Sequence, residues 1–213
     1  MHRVLVATTN RGKLAELVPV LAEVGWTAVG LDAFPGVPVA PEDAGDLAGN
    51  ARAKALHYAA ATGLPALADD SGLEVRALGG APGVRSARYA GPDADDARNR
   101  RRLLAALDGV QDRRARFACA LCLVEAGAPV VEVLGACEGR IGWTPRGRGG
   151  FGYDPLFVPD DPLAAGRTFA ELEPEDKRRI SHRARALAAL HRALSRPPRG
   201  DAAAAGDGPG VAR

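Results

Sequence analysis

The stretch Leu64 to Val75, LPALADDSGLEV, constrains the fold more than any other part of the chain. An apolar run bounded like a buried strand ends in two adjacent aspartates and then Ser71-Gly72. Neighbouring carboxylates repel, and each is costly to bury unless a cation or several donors lie close. Read alone, Asp-Asp-Ser-Gly is foremost the composition of a turn. The functional alternative puts Asp69 and Asp70 at the carboxyl end of a strand, where α/β proteins bind ligands, holding a hard cation. Glu42, in the loop APEDAG, is a further candidate ligand if that loop folds back.

The surrounding pattern is α/β. HRVLVATTN reads as a strand, and RGKLAELVPVLAEVG follows it with Leu14, Leu17, Val18 and Leu21 at helical spacing. Pro19 interrupts that helix and is expected to kink it, at about 3 kcal/mol if uncompensated. GWTAVGL is a second strand, and an alanine-rich helix runs from about Asp46 to Thr62. LGGAPGVRSARYAGPD is loop-like. PDADDARNRRRLLAALDG is a helix with acids first and arginines later, the order the helix dipole favours, and its charges read as solvated surface. Two long apolar segments joined by Gly127-Ala128-Pro129 suggest an antiparallel hairpin in a mixed sheet. A glycine-rich loop then leads into a short strand, and helix closes the chain from about Glu173 to Leu194.

Length and composition bound the rest. With 213 residues, 46% of them hydrophobic, the chain suits one domain, assigned to residues 1–195. Residues 196–213 are Pro- and Gly-rich and are expected to be disordered. A net charge of +2 without blocks of one sign gives no stripe for a polyanion, so nucleic acid is not an expected partner. No stretch approaches a membrane span, and Val4 to Ala7 is too short for a signal core, which leads to the expectation of a soluble cytoplasmic protein. Cys119 and Cys122 form a C-x2-C pair inside a strand, where residues three apart face opposite sides; they are expected in the core rather than on zinc.

Three further motifs carry candidate chemistry. TTNRGK lies between strand and helix, where helix-start amides, Thr8, Thr9, Asn10 and Lys13 outline a phosphate cradle; it lacks P-loop spacing, and an ordinary Asn-Arg-Gly turn fits equally. GRGGFGYDP lets backbone approach a ligand, with Phe151 as a stacking face and Tyr153 and Asp154 as polar edges. In EDKRRISHRARAL a single continuous helix would aim Lys177, His182 and Arg183 in separate directions. A break with Ser181 as N-cap would gather them, with Leu187, Leu190 and Leu194 buried beyond. The chain keeps only three lysines, Lys13, Lys54 and Lys177, and two of them fall in these motifs.

In order, VLVATTNRGKLAEL, LADDSGLEV, GGAPGVRSARYAG, GGFGYDPLFV and FAELEPEDKRRISHRARAL resemble the ITPase family of non-standard purine nucleoside triphosphate pyrophosphatases, from about residue 3 to 194. The resemblance implies an elongated mixed sheet flanked by helices, two lobes with a central cleft, a homodimer, Mg2+ dependence, and hydrolysis of ITP, dITP and XTP to monophosphate and pyrophosphate. It further implies that Thr8, Thr9, Asn10, Arg11, Gly12 and Lys13 bind the triphosphate. Asp70 corresponds to the general base and metal ligand, Ser71 to a substrate contact, and Phe151, Gly152, Tyr153 and Asp154 to the base-binding loop with Phe151 stacking. Lys177, His182 and Arg183 correspond to contacts around the base. The segment EDAGDLAGNARAKA departs from the family pattern: Glu42 and Asn50 keep their places, but Gly49 replaces an acid and a Thr-Gly pair is lost, which weakens Glu42 as a ligand relative to Asp70.

These implications suit the chemistry. A 6-oxo purine offers an acceptor to Lys177, Arg183 and backbone amides, whereas adenine offers an amino group and would leave buried donors unpaired. Two alternatives stand beside this one. A Maf-like pyrophosphatase acting on pyrimidine or modified nucleotides is disfavoured by Ser181-His182-Arg183 together with GGFGYDP. A nucleotide-binding regulator that has lost catalysis is suggested by the altered segment after Glu42, against which both aspartates and Lys13 are retained.

Overall fold

A computed structural model describes residues 2–195, so the tail expected to be disordered lies outside the described residues. Its spine is β3 (Ala66–Val75), which continues straight through Asp69-Asp70-Ser71-Gly72. This corrects the expectation of a turn or strand end at that point. All ten residues of β3 pair antiparallel with β4 (Arg114–Glu125), and a ladder of that length outweighs the local turn preference of Asp, Ser and Gly. β1 (His2–Val6) lies parallel to β3 and to β2 (Trp26–Gly30), while β5 (Ala128–Ile141) and β6 (Phe157–Pro159) extend the sheet antiparallel beyond β4. The six strands run β2-β1-β3-β4-β5-β6, the mixed sheet flanked by helices that the sequence suggests.

Central strands buried on both sides cannot show clean alternation, which is why β3 and β4 read as nearly continuous apolar runs. One face is covered by α2 (Leu47–Thr62), whose Ala51, Ala55 and Tyr58 pack on Leu5, Ala68, Ala120 and Cys122. The other carries α1 (Arg11–Glu23) and α5 (His182–Leu194), with Leu17, Leu21, Leu187 and Leu190 against Val4, Leu67, Cys119 and Leu121. Cys119 and Cys122 thus belong to opposite layers of the core, as their spacing requires. Pro19 sits inside α1 without ending it. At Gly135 of β5 a Cβ would collide with the backbone of His182 and Ala186, so a glycine there lets the start of α5 lie directly on the sheet.

A third core lies past the far ends of β3, β4 and β5. There Leu73, Phe117, Phe157 and Phe169 pack with Leu103 and Leu107, from α3 (Asp96–Ala106) and the residue that closes it, and with Ile180 at the end of α4 (Pro174–Ile180). The separate cores bear out the two-lobed reading, and the functional motifs fall between them.

Candidate active site

A cleft of about 460 Å3 is lined by residues from nearly every motif singled out in the sequence. Thr9, Asn10 and Lys13 line it from the start of α1, Ser71 from β3, Phe151 to Asp154 from the glycine-rich loop, and Lys177, His182 and Arg183 from α4 and α5. Glu42 also reaches its wall, while Asp70, 9% exposed, is not among the lining residues and is linked to that wall through Lys54, which meets both carboxylates. Thr8 opens instead on a neighbouring groove with Thr9 and Tyr58, and Gly12 on a cavity beside Phe151 and Lys177. The side chain of Arg11 lies outside the described residues. A larger groove of about 750 Å3 between α1 and α5 contains none of the residues predicted for the site.

The two aspartates are neutralised separately. Successive residues of a strand point to opposite faces, and here Asp69 faces α1 and α5 while Asp70 faces α2. Asp69 pairs with Lys13 at 2.7 Å and approaches Arg183 at 3.9 Å. Asp70 accepts a hydrogen bond from Asn50 Nδ2 at 2.9 Å, and Lys54 Nζ lies 3.6 Å from its other oxygen. Asp69 is therefore not a co-ligand with Asp70 of one ion: it lies on the wrong side of the sheet and is the counterion of Lys13. The compensating cations are the two lysines, supplied by helices far away in sequence.

Lys54 and Asn50 were missed as site residues, because nothing in an alanine-rich helix marks which face meets a carboxylate. Asp46 caps α2 by accepting from Gly49 N at 2.7 Å, and Asn50 Oδ1 accepts from Ala44 N at 2.9 Å, so the altered segment still delivers Asn50 to Asp70. Lys54 also bonds Glu42 at 2.6 Å, and Arg88 holds the other oxygen of Glu42 at 3.0 Å. Burial raises the pKa of Asp70, a tendency opposed by Lys54 and Asn50 and reinforced by nearby Glu42. Burial alone would raise that of Glu42 as well, but Lys54 and Arg88 outweigh it and the net shift is downward. Glu42 and Asp70 thus converge on the ammonium of Lys54, at 2.6 Å and 3.6 Å.

At the start of α1, Asn10 Oδ1 accepts from Gly12 N at 2.9 Å and Lys13 N at 3.2 Å. These two helix-start amides are therefore engaged by the cap, and Thr9, Asn10 and Lys13 are the residues of this turn that line the cleft.

At the other end, Asp154 binds the amide of Phe151 at 2.9 Å and Lys177 Nζ at 2.5 Å. Lys177 in turn lies 5.1 Å from the centroid of the half-exposed Phe151 ring. Tyr153 uses its hydroxyl on the Ser86 carbonyl at 2.8 Å and so anchors the loop rather than offering a free polar edge. The break at Ser181 is observed: Ser181 ends α4 and caps α5, accepting from Ala184 N at 3.2 Å, so that His182 and Arg183 occupy the first turn of the new helix. His182 stacks on Phe117 with ring centroids 4.8 Å apart, and burial, then Arg183, Lys177 and Lys13, push its pKa well below the ordinary histidine range. Arg183 bonds Glu16 at 3.0 Å. Among the described residues, His182 Nδ1 and Arg183 Nε are buried without a hydrogen-bond partner, and both residues line the cleft.

The arrangement lines one cleft with Lys13, the partner of the buried Asp69, with Glu42, and with aromatic and cationic groups of the glycine-rich loop, α4 and α5. Comparison with known proteins is consistent with it. Residues 4–193 match the profile of the Ham1 family. A dITP/XTP pyrophosphatase of Syntrophobacter fumaroxidans is 52% identical over 192 residues, covering 90% of this chain and 82% of its own. One from Mycolicibacterium paratuberculosis is 53% identical over 199 residues, covering 91% of this chain and 96% of its own. The structure of a HAM1 protein from Coxiella burnetii superposes with a TM-score of 0.84 at 43% identity, covering 91% of this chain and 98% of that one.

Proposed function

The chain belongs to the Ham1 family, and on that premise we propose that it hydrolyses deaminated purine nucleoside triphosphates, ITP, dITP and XTP, to the monophosphate and pyrophosphate. The observation that carries this reading is one cleft lined by Lys13 and Ser71 together with Phe151, Asp154, Lys177, His182 and Arg183, with Asp70 next to Ser71 on the same strand.

In this mechanism Asp70 accepts the proton of a water that attacks the α-phosphorus. Lys54, 3.6 Å away, favours the ionised carboxylate against the cost of its burial. Lys13 meets the charge developing on the departing pyrophosphate, while Asp69 fixes the position of its ammonium. Phe151 stacks on the base, and Lys177 and Arg183 donate to its 6-oxo oxygen. The unpartnered Nε of Arg183 and Nδ1 of His182 favour a polar ligand, since buried polar atoms cost free energy until they are paired. Adenine, with an amino group at that edge, would not pair the Lys177 and Arg183 donors, so ATP is spared.

The donor set also suits a hard dication, because Glu42 and Asp70 both present carboxylate oxygen toward the ammonium of Lys54, a position a cation already favours. These two residues would hold Mg2+, which when bound would help to neutralise the polyphosphate. We further propose that the enzyme works in the cytoplasm as a homodimer. Among the described residues no helix is long and apolar enough to cross a membrane.

The test is a panel of ITP, dITP, XTP, ATP, GTP, UTP and dTTP with Mg2+, with pyrophosphate and orthophosphate measured separately. Turnover confined to the first three with pyrophosphate as product is expected. Orthophosphate as product, or ATP hydrolysed as fast as ITP, would overturn the reading; preference for UTP or dTTP would favour the Maf-like alternative, and binding without product the regulator.

A further inference from the structure

The charged face of α3, which reads in the sequence as plain solvated surface, is tied to the loop that carries Phe151. Asp96 Oδ2 accepts from Gly152 N at 2.6 Å, and Arg100 Nη1 donates to Gly152 O at 2.6 Å. Both backbone polar groups of one residue, in two successive peptides, are thus held by two side chains of one helix. Residues four apart lie on the same helix face, so Asp96 and Arg100 are spaced to reach the N–H and the C=O of Gly152 together.

The helix is itself firmly held. Leu103 is fully buried in the third core. Asn99, 2% exposed and between the two gripping residues, accepts from Ala90 N at 2.8 Å and donates to the Ala87 carbonyl at 2.9 Å. The 3-10 segment Gly83–Arg88, of which Ser86 and Ala87 line the cleft, is therefore tied to the same helix. Gly152 has φ of +60°, a conformation open to glycine and costly for other residues, and it directly follows the exposed Phe151 ring. The turn is closed locally by Asp154 N donating to Phe151 O at 3.1 Å and by Phe151 N donating to Asp154 Oδ2 at 2.9 Å, and α3 adds two restraints on Gly152 from outside the loop.

We propose that Asp96 and Arg100 are positioning residues for base recognition: by clamping the backbone of Gly152 to α3 they fix where Phe151, and with it the Lys177–Asp154 pair, meets the purine. Neither is a catalytic residue. The inference rests on the proposed function, since it assigns the clamp to the base end of that same cleft.

The experiment compares wild type with Asp96→Ala, Asp96→Asn, Arg100→Ala and Asp95→Ala, measuring kcat and KM for ITP, the ITP/ATP ratio of kcat/KM, and Tm. Asp95 is the N-cap of α3, accepting from Arg98 N at 2.6 Å, and has no part in the clamp, so its variant reports loss of helix stability alone. Asp96→Ala and Arg100→Ala are expected to raise KM for ITP by about tenfold, the value of one charge-assisted hydrogen bond, with kcat within about twofold. The ITP/ATP ratio should fall with them. Asp96→Asn keeps an acceptor for Gly152 N and should restore KM, while Asp95→Ala should lower Tm and leave KM unchanged. Unchanged KM in both alanine variants of the clamp, or an equal rise in Asp95→Ala, would overturn the inference. Should Asp96→Ala fail to fold, Arg100→Ala decides alone. A wild type inactive on ITP would sink the proposed function instead, so the two failures are distinguishable.

Discussion

The feature that most separates this site from a surface cluster is that each buried charge has its own counterion. Asp70 and Lys54 form one such couple and Asp69 and Lys13 another, one on each side of a single strand. Asp70→Asn keeps the shape and one acceptor oxygen for Asn50 Nδ2, but it turns an amide nitrogen toward Lys54 and cannot take up a proton from water. The folded structure should persist, with unchanged Tm to within a few degrees, while kcat falls by roughly 10²–10⁴, the usual worth of a general base. Near-normal turnover would remove Asp70 from the mechanism. His182 gives a second test at this scale. Its pKa is depressed in the folded state, chiefly by burial and then by Arg183, Lys177 and Lys13, so the unfolded chain takes up a proton that the native one refuses. Stability from this group is therefore complete above about pH 6.5 and is lost as pH falls below it, by up to about 1.4 kcal/mol per pH unit. Denaturant melts at pH 7, 6 and 5 should show that slope, and His182→Gln should flatten it; an identical slope in both proteins would show that His182 protonates freely in the native state.

At the scale of elements, the decisive devices are the breaks and junctions that aim side chains. Ser181 closes α4 and opens α5, and without that break Lys177, His182 and Arg183 would diverge around one helix. Ser181→Ala removes the acceptor for Ala184 N and should cost about 1 kcal/mol, a fall of roughly 2–4 °C in Tm for a domain of this size. Because the cap orients the first turn of α5, KM for ITP should rise as well; a lowered Tm with KM unchanged would confine Ser181 to a structural role. This break was legible in the sequence, since it follows from helical geometry and a residue with a capping side chain. The end of β3 was not. Local composition marks Asp69 to Gly72 as a turn, and only the ladder to β4, more than forty residues away, makes them strand. Gly72 is in fact a packing requirement, because a Cβ there would collide with the Gly83 carbonyl.

Across the whole molecule, helix and strand identities could be read from periodicity, and the positions of the chemical motifs from their residue types. Which lysine answers which aspartate could not, because that depends on which helix covers which face of the sheet, a property of the tertiary arrangement. The same limit hid Asn50 and Lys54 behind an alanine-rich pattern, and left Asp96 and Arg100 looking like ordinary surface charge. Sequence did locate both ends of the cleft, since glycine, proline and capping residues mark the loops and helix starts that build it. The alternation of β3 carries one last implication. A slip of one residue against β4 would turn each acid toward the other's layer, so the pair can be moved only as a unit. Anyone transplanting this chemistry into another scaffold must carry the strand together with both of its helical coverings, or lose the two carboxylates at once.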